Sequence, residues 1–298
     1  MLARLRVTAI TLALSVSPTV IFSQAQPNTT FAPVVNGLVL RDVECSEFHS
    51  RFTGHDYHVY VSLPASYRQG DRRYPVLYVP DFEEGFLFLR DANDLIGLAS
   101  ILKKFILEDF ILVGVPLKSE SVQDFARKRT FDLTPTEDEA ADKYWSNILG
   151  GEVHSGGAPL FLRTLKEELI PYIDQNYRTL AAQQSRGILG QSRGGNQAFH
   201  VAFKHPELFS SLGVFHNALP ALTSQTYPAL QNAAGLNAQI PLIVLNGADQ
   251  DSLVTFQSFL DAHNRLVSLG IAHVLQIFSG DHSWFNFRRE FVDFVTRL

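Results

Sequence analysis

Six consecutive residues, Gly190-Gln191-Ser192-Arg193-Gly194-Gly195, narrow most what this chain can fold into. They follow a short apolar run at 186–189 and open a helix-like segment at 194–204. A strand that turns into a helix within so few residues forces strained backbone angles on the residue at the apex. Its neighbours must then be nearly free of side chain. Gly190 and Gly194 meet that need, and Gly195 lets the helix pack closely. Such a turn lifts the Ser192 hydroxyl out at the carboxyl edge of a sheet. The backbone N–H of Arg193, at the helix start, faces the same space and can bind an oxyanion. A bare G-x-S-x-G is common by chance; the strand before it and the helix after it give it meaning.

The rest of the chain supplies the sheet. Continuous apolar runs at 75–79, 110–115, 186–189, 212–215, 241–245 and 274–278 suit strands buried on both faces. Helix-like segments at 159–175, 194–204, 253–269 and 285–298 alternate with them. This predicts an α/β fold: one domain over residues 37–298, with a mostly parallel central sheet and helices on both faces. Ahead of it, 40–50 and 56–64 alternate polar and apolar residues and predict a half-exposed antiparallel pair. Residues 117–157, rich in charge and glycine, break the rhythm and read as a lid-like insertion over the strand ends.

The 298 residues are 46% hydrophobic, enough for a large core, and the net charge of -5 gives no basic excess. Neither a nucleic-acid nor an anionic-membrane partner is expected. The N-terminus differs from the rest. Arg4 and Arg6 precede an apolar run at 7–22 that ends in Ser23-Gln24-Ala25, a signal-peptide pattern over residues 1–25. A polar, proline-containing linker over 26–36 follows. Pro18 and the shortness of the run argue against a retained spanning helix, so the mature chain is expected to be secreted or periplasmic without a membrane span. Asn28-Thr29-Thr30 is a glycosylation sequon in a eukaryotic host. Cys45 is the only cysteine, which rules out an intramolecular disulfide. It reads as a structural thiol. No paired-cysteine or H-E-x-x-H pattern asks for a metal, His55 and His58 are too little to make one, and no cofactor is implied.

A serine hydroxyl is a weak nucleophile at neutral pH and needs a base, usually histidine oriented by a carboxylate. In a strand–serine–helix fold the chain order is serine, acid, histidine. His273 falls in a predicted strand and His205 at a helix end. His282, in Ser279-Gly280-Asp281-His282-Ser283-Trp284, lies in a turn directly after the last strand and is the candidate base. The acid should follow the run at 241–245, where Asp249 and Asp251 both qualify. Asp251 is preferred as nearer the next helix start, although it could serve only as that helix's N-cap. A serine–histidine dyad without an essential acid stays open.

Several stretches resemble the putative-esterase family of α/β hydrolases, which includes feruloyl, acetylxylan and siderophore trilactone esterases. They are Tyr74-Pro75-Val76-Leu77-Tyr78, Arg129-Thr130-Phe131-Asp132-Leu133-Thr134-Pro135, Gly156-Gly157-Ala158 with Phe161, Glu168-Leu169-Ile170-Pro171, the 190–195 turn and the 280–284 turn. Asp251-Ser252-Leu253 looks like the acid segment of feruloyl esterases. The resemblance covers residues from Tyr57 to the C-terminus and implies a serine esterase working through an acyl-enzyme. It also implies a second oxyanion donor from the loop after the third strand, the Phe82 N–H. The family often has Asp-Gly where this chain has Asp81-Phe82, and Arg193 is bulkier and more charged than the usual neighbour of the serine.

Arg129 and Trp284 are candidate substrate-binding residues, and Trp145 and Phe131 candidate walls of an aromatic cleft. The expected substrate is an extracellular small-molecule or polysaccharide-linked ester, of siderophore type or a feruloyl or acetyl ester. An acyltransferase on the same fold, or a ligand-binding protein without catalysis, is the alternative.

Overall fold

The computed structural model describes residues 34–35, 38–39, 42–81, 86, 89–90, 108–217, 219 and 222–298, with backbone only at 34–35, 38–39 and 284. The expected signal peptide at 1–25 lies outside these residues, as does most of the 26–36 linker. The end of that linker is strand: β1 (Val34–Val35) pairs antiparallel with β2 (Leu38–Val39).

The main sheet has eight strands: β3 (Val43–His49), β4 (Asp56–Ser62), β5 (Val76–Pro80), β6 (Ile111–Val115), β7 (Arg186–Gln191), β8 (Ser211–Phe215), β9 (Leu242–Ala248) and β10 (Val274–Phe278). Their spatial order is β3-β4-β6-β5-β7-β8-β9-β10. β4 runs antiparallel to β3 and β6, and every other pairing is parallel. The carboxyl ends of β5 to β10 therefore open on one edge, and β7, from which the Gly190–Gly195 turn emerges, lies near the middle. Ligand sites in open parallel sheets form at that edge.

Burial follows the strand period of two. Val76 and Tyr78 of β5 join one core cluster, with Ile188, Leu212, Phe161, Phe199 and Phe203. Leu77 and Val79, one residue out of phase, join a second with Leu189, Phe215, Phe287, Phe291 and Phe294. Both faces of the sheet are thus covered over its central strands, as continuous apolar runs require, whereas β10, at the edge, is only half-buried. The helices that supply the cover are α3 (Ala158–Thr164), continued through a π turn at Leu165–Leu169 into α4 (Ile170–Asn176), α5 (Arg193–Lys204), α6 (Ala233–Gln239), α7 (Phe256–Ser268) and α8 (Trp284–Val295).

The stretch at 117–157 is more ordered than its composition suggests. It forms α1 (Val122–Leu133) and α2 (Glu139–Leu149). The Ser121 hydroxyl caps the first, accepting from the Asp124 N–H at 3.1 Å, and Asp138 caps the second, accepting from the Ala140 and Ala141 N–H groups. The left-handed Gly150 ends α2. No residue of α2 is buried: its apolar residues share one side, but Tyr144 and Ile148 are exposed and Trp145 is half-buried.

Candidate active site

Ser192 sits between β7 and α5 at φ 55°, ψ −129°, a conformation that costs an ordinary residue about 1–3 kcal/mol. Its surroundings hold it there. Its N–H donates to the Phe215 carbonyl of β8 at 2.8 Å, and its carbonyl accepts from the Gly195 N–H and the Asn217 side-chain amide. A Cβ on Gly190 would lie 2.1 Å from the Gly194 carbonyl oxygen, and one on Gly195 only 3.1 Å from the Gly190 carbonyl oxygen. The glycines are thus required by backbone contact across the turn. The Arg193 N–H is the first of α5 and leaves the helix start unoccupied by any side-chain cap.

Of the two aspartates left open in sequence, it is Asp251 that meets His282. The His282 Nδ1 lies 2.8 Å from Asp251 Oδ2. The other carboxylate oxygen, Oδ1, accepts from the Leu253 and Val254 N–H groups at 2.8 and 2.9 Å. Asp251 is not the N-cap of the next helix; Thr255 is. Asp249 instead ties the loops after β9 and β10 together, its N–H donating to Phe278 and its carboxylate accepting from the Gly280 N–H. Burial pushes the Asp251 carboxyl up, but the Val254 N–H, His216, His282 and the Leu253 N–H outweigh it, and its pKa lies below the ordinary aspartate value.

Two residues of this cluster escaped the sequence reading. His216, the residue after β8, is fully buried with φ 50°. Its Nδ1 lies 2.9 Å from the same Asp251 Oδ2, and its Nε2 lies 2.8 Å from Oε1 of Glu290 on α8. The His216 and His282 rings pack edge to face with centroids 5.2 Å apart. Burial pushes the His216 imidazole down, yet hydrogen bonds and charge from Glu290 and Asp251 hold its pKa above the ordinary value. Ring nitrogens of both histidines and the Asp251 oxygen lie within 4.8 Å of one another. Both Nδ1 atoms approach that single oxygen at hydrogen-bond length, and the cluster is a hydrogen-bonded array. A signal for Glu290 was present: it falls on the buried stripe of α8 marked by Phe287, Phe291 and Phe294.

His216 is followed by Asn217, whose side chain holds the Ser192 carbonyl, so the serine turn and the histidine–aspartate couple share one end of β8. Among the described residues no hydrogen bond joins the Ser192 hydroxyl to the His282 ring. Catalytic hydrogen bonds are often long until a substrate tightens the site.

On the other flank, Asp81 follows β5 with φ 71° and is buried. Arg129 of α1 grips it with three contacts: Nε to Oδ1 at 3.0 Å and to Oδ2 at 2.8 Å, and Nη2 to Oδ2 at 2.6 Å. The guanidinium expected to bind substrate is therefore engaged with Asp81, which abuts the elbow where a Cβ on Gly194 would meet it. Phe82 lies outside the described residues, as does the Trp284 side chain. Arg193 reaches from α5 to the Thr130 hydroxyl of α1 at 2.5 Å, with its guanidinium 5.1 Å from the Trp145 ring of α2. Phe131 packs against His55 and Gly157. His55 itself bonds Asp132 at 3.0 Å, as does the Tyr57 hydroxyl at 2.6 Å, so this Asp is a buried brace.

The sheet order, the strained serine turn after β7 and the loops after β9 and β10 define the class as the α/β hydrolases. Residues 50–298 match the family described as putative esterase, and the chain belongs to that esterase family. It is 27% identical over 177 residues to a ferri-bacillibactin esterase of Bacillus subtilis (strain 168), covering 59% of this chain and 58% of the relative. A second relative from that organism is covered over 52% of its length, so the chain spans little more than half of these proteins. Among solved structures, the siderophore hydrolase EstA from Aspergillus nidulans superposes with a TM-score of 0.65 at 16% identity, over 91% of this chain and 98% of the other. A ferulic acid esterase from Anaeromyces mucronatus, in complex with ferulic acid, gives 0.61 at 18% identity, over 85% and 89%. No helix among the described residues is long and apolar enough to cross a membrane.

Proposed function

We propose that the chain is a serine carboxylic-ester hydrolase with Ser192 as nucleophile, His282 as base and Asp251 as the acid that orients it. One observation carries this reading. Among the described residues, the one serine with positive φ, on a strand-to-helix turn, emerges at the sheet edge where the next loops pair a histidine with a buried aspartate, in the order serine, acid, histidine. Asp251 holds the Nδ1 proton of His282, which leaves Nε2 to take the hydroxyl proton as Ser192 attacks the ester carbonyl. The oxyanion rests on the Arg193 N–H and, on the family pattern, the Phe82 N–H. The imidazolium then protonates the leaving alcohol, and water repeats the sequence on the acyl-enzyme.

A siderophore-type ester is the favoured substrate. Support comes from the ferri-bacillibactin esterase relative and from the residue after Ser192, Arg193, whose guanidinium lies over the Trp145 ring. Such a cation–aromatic pair suits an aromatic acyl group that carries negative charge. A feruloyl ester, also aromatic, is the second reading, on the likeness to the ferulic acid esterase. The pattern at 1–25 supports export to the ester outside the cytoplasm.

The test is covalent labelling with a fluorophosphonate, followed by kcat/KM for a catecholate trilactone, a methyl ferulate and p-nitrophenyl acetate. Wild type should label at Ser192. Ser192→Ala, folded as judged by circular dichroism, should neither label nor hydrolyse. A folded Ser192→Ala protein with full esterase activity would refute the assignment.

A further inference from the structure

His216 has a carboxylate oxygen at each end of its ring, Asp251 Oδ2 at 2.9 Å and Glu290 Oε1 at 2.8 Å. A neutral imidazole carries one N–H and cannot donate to both. Either the ring is an imidazolium, or the second proton sits on Glu290. In both cases His216 and Glu290 together hold one shared proton and have no net charge. The other Glu290 oxygen is buried without a hydrogen-bond partner, so His216 is the group that compensates this carboxylate. Nothing in the proposed chemistry uses either residue, yet a buried glutamate is retained on an otherwise phenylalanine-lined helix face, where an unpaired charge would be costly.

We infer that His216 and Glu290 form a proton-sharing clamp behind the candidate triad, which fixes the Asp251 carboxylate and sets the proton affinity of His282. The inference rests on the reading of His282 as the base. His216 is a positioning residue in this scheme and touches no substrate. The charged and titratable groups that face it among the described residues are Asp251 from the loop after β9, His282 from the loop after β10 and Glu290 from α8. Because two N–H donors share Asp251 Oδ2, each receives only part of its charge. Removing the His216 donor gives the oxygen wholly to His282 and strengthens that bond, which favours the imidazolium form of His282. Any negative charge left on Glu290 acts in the same direction. Removing His216 also frees the carboxylate to rotate, and a misplacement of the base by about 1 Å is enough to lose about 100-fold in rate.

The test compares His216→Asn with Glu290→Gln. Asparagine tolerates the positive φ at position 216 but is too short to bridge the two carboxylates. In Glu290→Gln the amide N–H can donate to Nε2 of a neutral His216, which keeps its Nδ1–H on Asp251. For His216→Asn we expect kcat to fall about 10- to 100-fold with KM little changed. The acid limb of kcat/KM, and the His282 titration followed by imidazole ¹⁵N NMR without substrate, should both move to higher pH. Glu290→Gln should keep both near wild type, while its His216 ring shows one bound proton. Wild-type kcat and titration in folded His216→Asn would overturn the clamp. So would a loss of rate with an unmoved His282 titration, which marks a merely structural role. Since the NMR titration needs no turnover, a protein that hydrolyses no ester yet shows the shift would sink the esterase reading and leave the clamp standing.

Discussion

Replacing Asp251 by asparagine is the sharpest probe of the acid, because the structure dictates what an amide does there. Four N–H donors converge on the carboxylate: those of His282 and His216 on Oδ2, and the Leu253 and Val254 backbone groups on Oδ1. An amide offers one oxygen and one NH₂, so in either orientation the NH₂ faces two donors. If the oxygen stays on the backbone pair, both histidines lose their acceptor, and each such bond to a charged group is worth about 1.5–3 kcal/mol. The His282 ring then adopts the other tautomer, with a proton on Nε2, and cannot accept one from Ser192. A wrong tautomer in a serine triad lowers kcat about 10⁴-fold, which is about 5.4 kcal/mol of barrier. We expect Asp251→Asn to lose about three to four decades of kcat on p-nitrophenyl acetate, with KM within about threefold because the carboxylate touches no substrate. Asp249→Asn is the matched control. Its amide oxygen can still accept from the Gly280 N–H, so the bond loses only its charge, and kcat should change by no more than about tenfold. Activity of Asp251→Asn within tenfold of wild type, or equal damage from Asp249→Asn, would refute the assignment of the acid.

Three further expectations follow from the same geometry. Gly190→Ala places its Cβ 2.1 Å from the Gly194 carbonyl oxygen, a backbone atom that cannot swing aside; differential scanning fluorimetry should show a loss of about 2 kcal/mol or more, together with lost labelling of Ser192. Arg129→Met leaves the buried Asp81 without its three contacts and should cost about 3–5 kcal/mol in urea unfolding, whereas Arg129→Lys should recover part of it. Stability should depend on pH from both sides. His216, whose pKa is raised, contributes stability that is complete below the unfolded value of 6.5 and is lost as pH rises through its folded value. Asp251, whose pKa is lowered, contributes stability present above 3.8 and lost as pH falls through its folded value. Melting temperature measured against pH should therefore fall on both flanks, and His216→Asn should flatten the alkaline one.

The parts of the fold written as local patterns were legible in the sequence. Each of the six apolar runs became a parallel strand, and the alternating segments at 40–50 and 56–64 became the antiparallel pair β3 and β4. The Ser192 turn was legible because its steric demand falls on adjacent residues. α1 and α2 were not: α1 has too few apolar residues to mark a face, and the apolar side of α2, with Tyr144 and Ile148, is exposed instead of joining the core. The choice between Asp249 and Asp251 was legible only as a preference. Both stand in one loop two residues apart, and what separates them is the contact with His282, thirty-one residues downstream. Arg129 was read as a substrate-binding candidate, and its pairing with Asp81, forty-eight residues upstream, was not legible.

His216 and Glu290 show a different kind of silence. A histidine closing a buried strand has an ordinary explanation on its own, and the place of Glu290 on the buried stripe of α8 does not say which group it meets. Only the sheet order, with β8 next to β9 and α8 packed below Phe215, brings the two to opposite ends of one imidazole. Each is costly to bury alone, and His216 offsets the charge of the carboxylate it meets at either end. A buried charge offset in this way contributes little to stability compared with apolar residues of the same size, so stability alone does not account for its place in this core. His216 links Glu290 to the oxygen at Asp251 Oδ2, and that oxygen is the one bound to His282. If the clamp existed only to fill the space under β8 and β9, replacing His216 and Glu290 together by leucine and methionine would leave the His282 titration unmoved; the shared oxygen requires that it move.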